Sequence, residues 1–202
     1  MNARLAKRPW LRKLAGTLRL APRSQIDIPW PRNVSYVNLR SPLPYDENAF
    51  DAVYASHTLE HLYRDEALRL LREGRRVVRP GGHVRMLVPD LAGIVQEYLG
   101  QIRMPDALHD DDPARRMCRR LLMRGEQRGG RGLAYSLYLS RTDFHSHKWM
   151  YDGPSLVKLF NEAGFADARV MGFRESAIPH LDKVEMPTRS LGGIGVAVEA
   201  VK

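Results

Sequence analysis

Four of the seven histidines fall in two short clusters, and these are where chemistry is first legible. Ser56-His57-Thr58-Leu59-Glu60-His61 brings a hydroxyl, two imidazoles and a carboxylate within six residues, and His145-Ser146-His147-Lys148 is followed closely by Tyr151. An imidazole titrates near neutrality, so it serves as general base, hydrogen-bond partner or metal ligand. His57 and His61 have the i, i+4 spacing of a metal pair, to which His145 and His147 add donors. The order His-Glu-x-x-His is not present, and no metal site is expected. Two readings stand for His145, His147 and Tyr151: a substrate-facing group, or ordinary surface polarity.

The elements that must position these residues follow from hydrophobic pattern. Phe50 to Ser56 is a short apolar run with a β-branched centre, so Ser56 and His57 come at the carboxyl end of a strand, the edge at which open α/β sheets bind ligands. Ala67, Leu68, Leu70, Leu71 and Val78 form a mostly one-sided stripe, which predicts a helix that Pro80-Gly81-Gly82 stops. His83 to Val88 reads as a second buried strand. Two strands joined by a helix imply a right-handed crossover and a parallel pair. Asp90 then caps a helix from Leu91 to Leu99 or forms part of a pocket rim. Val34 to Leu39 is a further strand candidate, and Thr17 to Leu20 and Gln25 to Ile28 are two short extended ones. Gly153 to Ala163 reads as a helix with Pro154 in its first turn and Gly164 as its stop. Ala168 to Phe173 and Ile194 to Val201 are the last two strands.

The order Pro42-Leu43-Pro44, Phe50-Asp51-Ala52-Val53, His57-Thr58-Leu59-Glu60-His61, Arg79-Pro80-Gly81-Gly82 and Pro89-Asp90 resembles the middle of a class I S-adenosylmethionine-dependent methyltransferase of the small bacterial, type 11-like kind. His147-Lys148-Trp149-Met150-Tyr151-Asp152 and Ala163-Gly164-Phe165 extend the resemblance toward the C-terminus. It implies an α/β, Rossmann-like domain with a mostly parallel sheet, an antiparallel last strand and a reduced N-terminal half. It also implies S-adenosylmethionine as cofactor and a small-molecule, lipid or glycan methyl acceptor. Asp27 matches the acidic residue that takes the ribose hydroxyls, although a solvated turn Asp before proline is an equal reading. Asn38 stands where Asp usually meets the adenine, Leu39 covers the adenine face, and Ser56 borders the cofactor. His57 then faces the reacting methyl as catalytic base, with a backbone-bonded helix-entry residue as its plain alternative. Glu60 and His61 are read as structural, tying the strand end to the helix.

One departure stands out: where the family's glycine-rich cofactor loop belongs, the chain has Ala21-Pro22-Arg23-Ser24. Glycine there lets backbone approach the cofactor, so its replacement should cost affinity. A lost upstream segment, a rebuilt short loop or abandoned cofactor binding would each explain it. The alternative function is accordingly a methyltransferase-like scaffold or partner subunit without cofactor.

At 202 residues the chain has room for one domain with a substantial core. The expected division is a basic tail over residues 1–16 and a methyltransferase-like domain over 17–202, with a lid inserted at 101–148. The net charge is +9, of which residues 1–26 carry seven basic side chains and no acid. This tail suits contact with an anionic surface as well as it suits a frayed terminus. No aromatic-basic stacking motif supports a specific nucleic-acid role. Cys118 is the one cysteine, which excludes an intrachain disulfide and fits a cytoplasmic setting. No apolar run approaches the ~20 residues needed to cross a bilayer.

Overall fold

The computed structural model describes residues 34–35, 37–104, 112–122, 146–190 and 194–202. The basic tail, Asp27, the Ala21-Ser24 loop, His145 and most of the expected lid lie outside the described residues. Within them the order is β1 (Phe50–Ser56), a 3-10 turn (Leu59–His61), α1 (Arg64–Val77), β2 (Val78–Pro89), α2 (Leu91–Gln101) and α3 (Pro113–Arg120). Then come α4 (Gly153–Glu162), β3 (Arg169–Met171), a second 3-10 turn (Leu181–Lys183), α5 (Pro187–Ser190) and β4 (Gly195–Val201).

The described strands form one mixed sheet in the order β1-β2-β4-β3. The β1–β2 pair is parallel, joined by α1, and β4 runs antiparallel to both β2 and β3. This is the mixed α/β arrangement with an antiparallel last strand that the sequence implies.

Alternation along β2 and β4 divides the buried interior in two. Val84, Met86 and Val88, with Val196, Val198 and Ala200, join the core built with α1 and α4. The α1 stripe Ala67, Leu70, Leu71, Gly74 and Val77 is buried, and Leu156, Leu159 and Phe160 of α4 pack with it. Arg64 and Glu162, 2.8 Å apart, close the outside of the α1–α4 seam. The intervening positions of β2 and β4 pair Arg85 with Glu199 and Leu87 with Ala197. Arg85 is fully buried, its guanidinium forked onto Glu185 at 2.8 and 2.9 Å. It also reaches Glu199 at 3.3 Å and the carbonyls of Gly172 and Glu175 at 2.9 and 3.1 Å. A buried ion network thus fastens the segment between β3 and β4 to the sheet.

Two sequence expectations change. Pro80-Gly81-Gly82 does not stop α1, which ends at Val77; it lies inside β2 as an irregularity in the β1 pairing, between the Phe50–Val78 and Ala52–His83 pairs. Gly81 has φ +75, and the chain end is stitched there by Gly81 N–H to the Lys202 carbonyl and Lys202 N–H to the Gly82 carbonyl. Val34 to Leu39 is not a strand where described: residues 39 and 40 form a turn. The Asn38 side chain accepts from Arg40 N–H at 3.2 Å and donates to Ser41 Oγ at 2.9 Å, a local bonding that competes with a ladder. Among the described residues no helix is long and apolar enough to cross a membrane.

Candidate functional site

β1 delivers Ser56 to the sheet's carboxyl edge, where its hydroxyl is buried without a hydrogen-bond partner among the described residues. The next residue, His57, still donates its backbone N–H to the Leu87 carbonyl at 2.8 Å, then takes φ +51. A left-handed non-glycine residue is uncommon and such conformations gather at functional sites. That sharp turn feeds the 3-10 turn, and the reversal brings Glu60 back beside His57. His57 Nδ1 lies 3.4 Å from Glu60 Oε1, and His61 Nε2 lies 4.0 Å from the same oxygen.

The second histidine cluster arrives from far along the chain. Lys148 and Trp149 both donate backbone N–H to the Glu60 carbonyl, at 2.6 and 3.3 Å, so the 146–151 segment is tied to the 3-10 turn. The His147 ring meets the His61 ring edge-on, centroids 5.0 Å apart. Tyr151 bridges to Asp90 and its carbonyl accepts from Leu91 N–H at 2.8 Å, which ties the same segment to the end of β2. Asp90 caps α2 by accepting from Ala92 N–H, the first of its two expected roles.

The result is a polar nest around the buried Glu60 carboxylate. Glu60 is 0% exposed, and among the described residues neither carboxylate oxygen has a hydrogen-bond partner; nor do His61 Nδ1 or the Tyr151 hydroxyl. Burial pushes the Tyr151 hydroxyl up to about 12, with Glu60 adding to the rise against Arg64. Burial also lowers His147, opposed by the Glu60 carboxylate and aided by His61 and His57. A neutral His147 ring keeps one nitrogen lone pair available. The Leu121 backbone after α3 also acts on His147, while α3 itself is held to α2 by Arg120 on Glu97 at 3.1 Å.

Asn38 and Leu39 belong to a stretch docked on α1: Arg76 donates to the Leu43 and Tyr45 carbonyls, and Leu43 N–H to Glu73. Leu39 is half-buried against the core, and Asn38 is exposed. Having used one donor and one acceptor site in its turn, the Asn38 amide keeps another of each.

A family model described as "Methyltransferase domain" matches residues 21–86, from before the docked stretch to the middle of β2. The resemblance read from the sequence is borne out over that span. Comparison with curated proteins finds no sequence match. Among solved structures, a SAM-dependent methyltransferase of Thermotoga maritima, described as a possible histamine N-methyltransferase, is 16% identical with a TM-score of 0.42, over 82% of this chain and 62% of that one. A Haloferax volcanii methyltransferase in complex with the Trm112 activator is 12% identical with a TM-score of 0.42, over 82% and 59%. A SAM-dependent methyltransferase of Archaeoglobus fulgidus is 14% identical with a TM-score of 0.39, over 78% and 62%. The chain spans about three fifths of the length of these structures.

Of the residues singled out in the sequence, His57, His147 and Tyr151 act on one another or on Glu60, and Ser56 immediately precedes His57 at the end of β1. Asn38 and Leu39 lie in the stretch docked on α1, and Asp27 and His145 lie outside the described residues. Glu60 is the residue that sequence reasoning undervalued. Its signal was its place between two histidines, but the contacts that make it the centre of the nest come from residues some ninety positions away.

Proposed function

We propose that this protein transfers a methyl group from S-adenosylmethionine to a small-molecule, lipid or glycan acceptor. The observation that carries the proposal is the methyltransferase-domain match over residues 21–86, which contains Asn38, Leu39, Ser56 and His57. Ser56 supports it independently, since an unpartnered buried hydroxyl at a strand's carboxyl edge suits a polar ligand group.

The cofactor supplies an electrophilic methyl on a sulfonium; the chain's task is alignment, and removal of a proton where the acceptor arrives protonated. In this reading Leu39 covers the adenine, the spare donor and acceptor of Asn38 meet its polar edge, and Asp27 takes the ribose hydroxyls. Ser56 borders the reaction centre. His57 accepts the acceptor's proton, and Glu60, 3.4 Å from Nδ1, orients the ring and offsets the charge it gains. His145, His147 and Tyr151 face the acceptor, under a lid formed within residues 101–148.

The test is conversion of S-adenosylmethionine to S-adenosylhomocysteine in the presence of acceptor pools. His57→Gln should lower turnover about 10²- to 10⁴-fold, the usual worth of a general base, with cofactor affinity little changed. A variant as fast as wild type would remove His57 from catalysis. A folded protein that neither binds nor consumes the cofactor would favour the scaffold reading.

A further inference from the structure

We propose that Glu60, His61 and His147 form a binding site for a divalent transition-metal ion of the zinc class. The ligand-capable atoms of these three side chains lie within 4.8 Å of one another. Glu60 is fully buried, and among the described residues neither of its oxygens has a hydrogen-bond partner, nor has His61 Nδ1. The Leu121 backbone engages one side of the His147 ring, which leaves the other nitrogen for a metal. Buried polar atoms are nearly always paired in a folded protein, so a fully buried carboxylate clustered with two imidazoles calls for a partner, and a cation satisfies all three. No metal was expected from the sequence because the order His-Glu-x-x-His is absent. The fold brings His147 to His61 and adds Glu60, which was read there as a structural residue, in place of His57.

The donor set selects the ion. Two imidazoles and one carboxylate suit zinc and its borderline neighbours, whereas calcium and magnesium want oxygen alone. Bonds of about 2.0–2.2 Å at tetrahedral angles separate ligand atoms by about 3.3 Å, so closure requires a contraction of up to about 1.5 Å among side chains. The backbone around them is already fixed, since Lys148 and Trp149 N–H groups grip the Glu60 carbonyl. His57 Nδ1, 3.4 Å from Glu60 Oε1, would stand as an outer partner of the ligating carboxylate. Three protein ligands also leave a position for water or a substrate heteroatom, the pattern of a catalytic rather than a closed structural site. The site stands on these contacts alone and does not depend on the methyl-transfer reading.

The experiment titrates the untagged full chain, stripped with chelator, with Co²⁺ and follows the visible d–d absorption, then displaces Co²⁺ with Zn²⁺. Binding of a single ion with a tetrahedral-type spectrum is expected. His147→Ala should weaken it about tenfold or more, as should Glu60→Gln, while Cys118→Ser, which removes an exposed thiol, should leave it unchanged. Circular dichroism establishes that each protein is folded; His147, at the rim of the nest, carries the test where Glu60→Gln does not fold. A folded wild-type chain without Co²⁺ absorption, or His147→Ala binding as wild type does, would overturn the proposal.

Discussion

Replacing Arg85 with Met should be among the most damaging single changes in the described fold. The guanidinium is fully buried and makes five polar contacts, two to Glu185, one to Glu199 and two to the Gly172 and Glu175 carbonyls. Methionine fills much of the space but leaves Glu185, itself 0% exposed, without its principal cation. Glu199 keeps His83 at 2.9 Å, and Glu185 keeps the Arg174 N–H at 3.2 Å, so the loss falls short of two naked charges. Breaking a buried pair in this way costs about 3–5 kcal/mol. For a chain of this length each kcal/mol moves the melting midpoint by about 2–4 °C, which gives a fall of roughly 6–20 °C. Urea unfolding followed by circular dichroism measures it, with Arg69→Ala as control, because the Arg69–Asp65 pair is exposed and worth about 0–1 kcal/mol. The double variant Arg85→Met, Glu185→Leu should recover much of the loss, since replacing both partners removes the stranded charge. A single variant within about 1 kcal/mol of wild type, or a double variant no better than the single, would refute this account of the network.

Other consequences are more local. Gly82→Ala would set a Cβ 2.5 Å from the Asp51 carbonyl oxygen and 2.6 Å from a Val78 methyl; backbone cannot retreat easily, and a loss of about 1–3 kcal/mol in chemical unfolding is expected. Asp152 caps α4 by accepting from Ser155 N–H at 2.9 Å, and the Ser155 contacts hold its carboxyl below the ordinary value of 3.8. Asp152→Ala should therefore cost about 1 kcal/mol at neutral pH. With the folded value depressed, that contribution is present above the unfolded value and is lost as pH falls through the folded one. Wild type and variant stabilities should thus converge in acid below pH 3.8. At the other extreme, the Tyr151 hydroxyl rises from 10 to about 12, so Tyr151→Phe should remove a loss of stability that sets in above pH 10.

The sheet, its crossover helix and its antiparallel last strand were legible because their signals are local. The α1 stripe is periodic, Asp90 and Asp152 stand where caps belong, and Val84 to Val88 is continuously apolar but for Arg85. What was not legible depends on partners distant in sequence. Arg85 looks like an intruder in a buried strand until Glu185 and Glu199 face it across the fold. Glu60 reads as a helix-entry residue until Lys148 and Trp149 bring His147 to it. Val34 to Leu39 has the composition of a strand, but Asn38 bonds its own following residues and makes a turn instead. The Pro80-Gly81-Gly82 run has the composition of a stop, but the chain end at Lys202 pairs with it and extends the strand.

The central claim is that this chain binds the nucleoside cofactor of a methyltransferase, and calorimetric titration of the full protein with S-adenosylhomocysteine tests it most directly. Micromolar binding is predicted, weakened about 3- to 10-fold in Asn38→Ala by the loss of a hydrogen bond or so to the ligand. A folded wild-type protein that shows no heat of binding would contradict the claim.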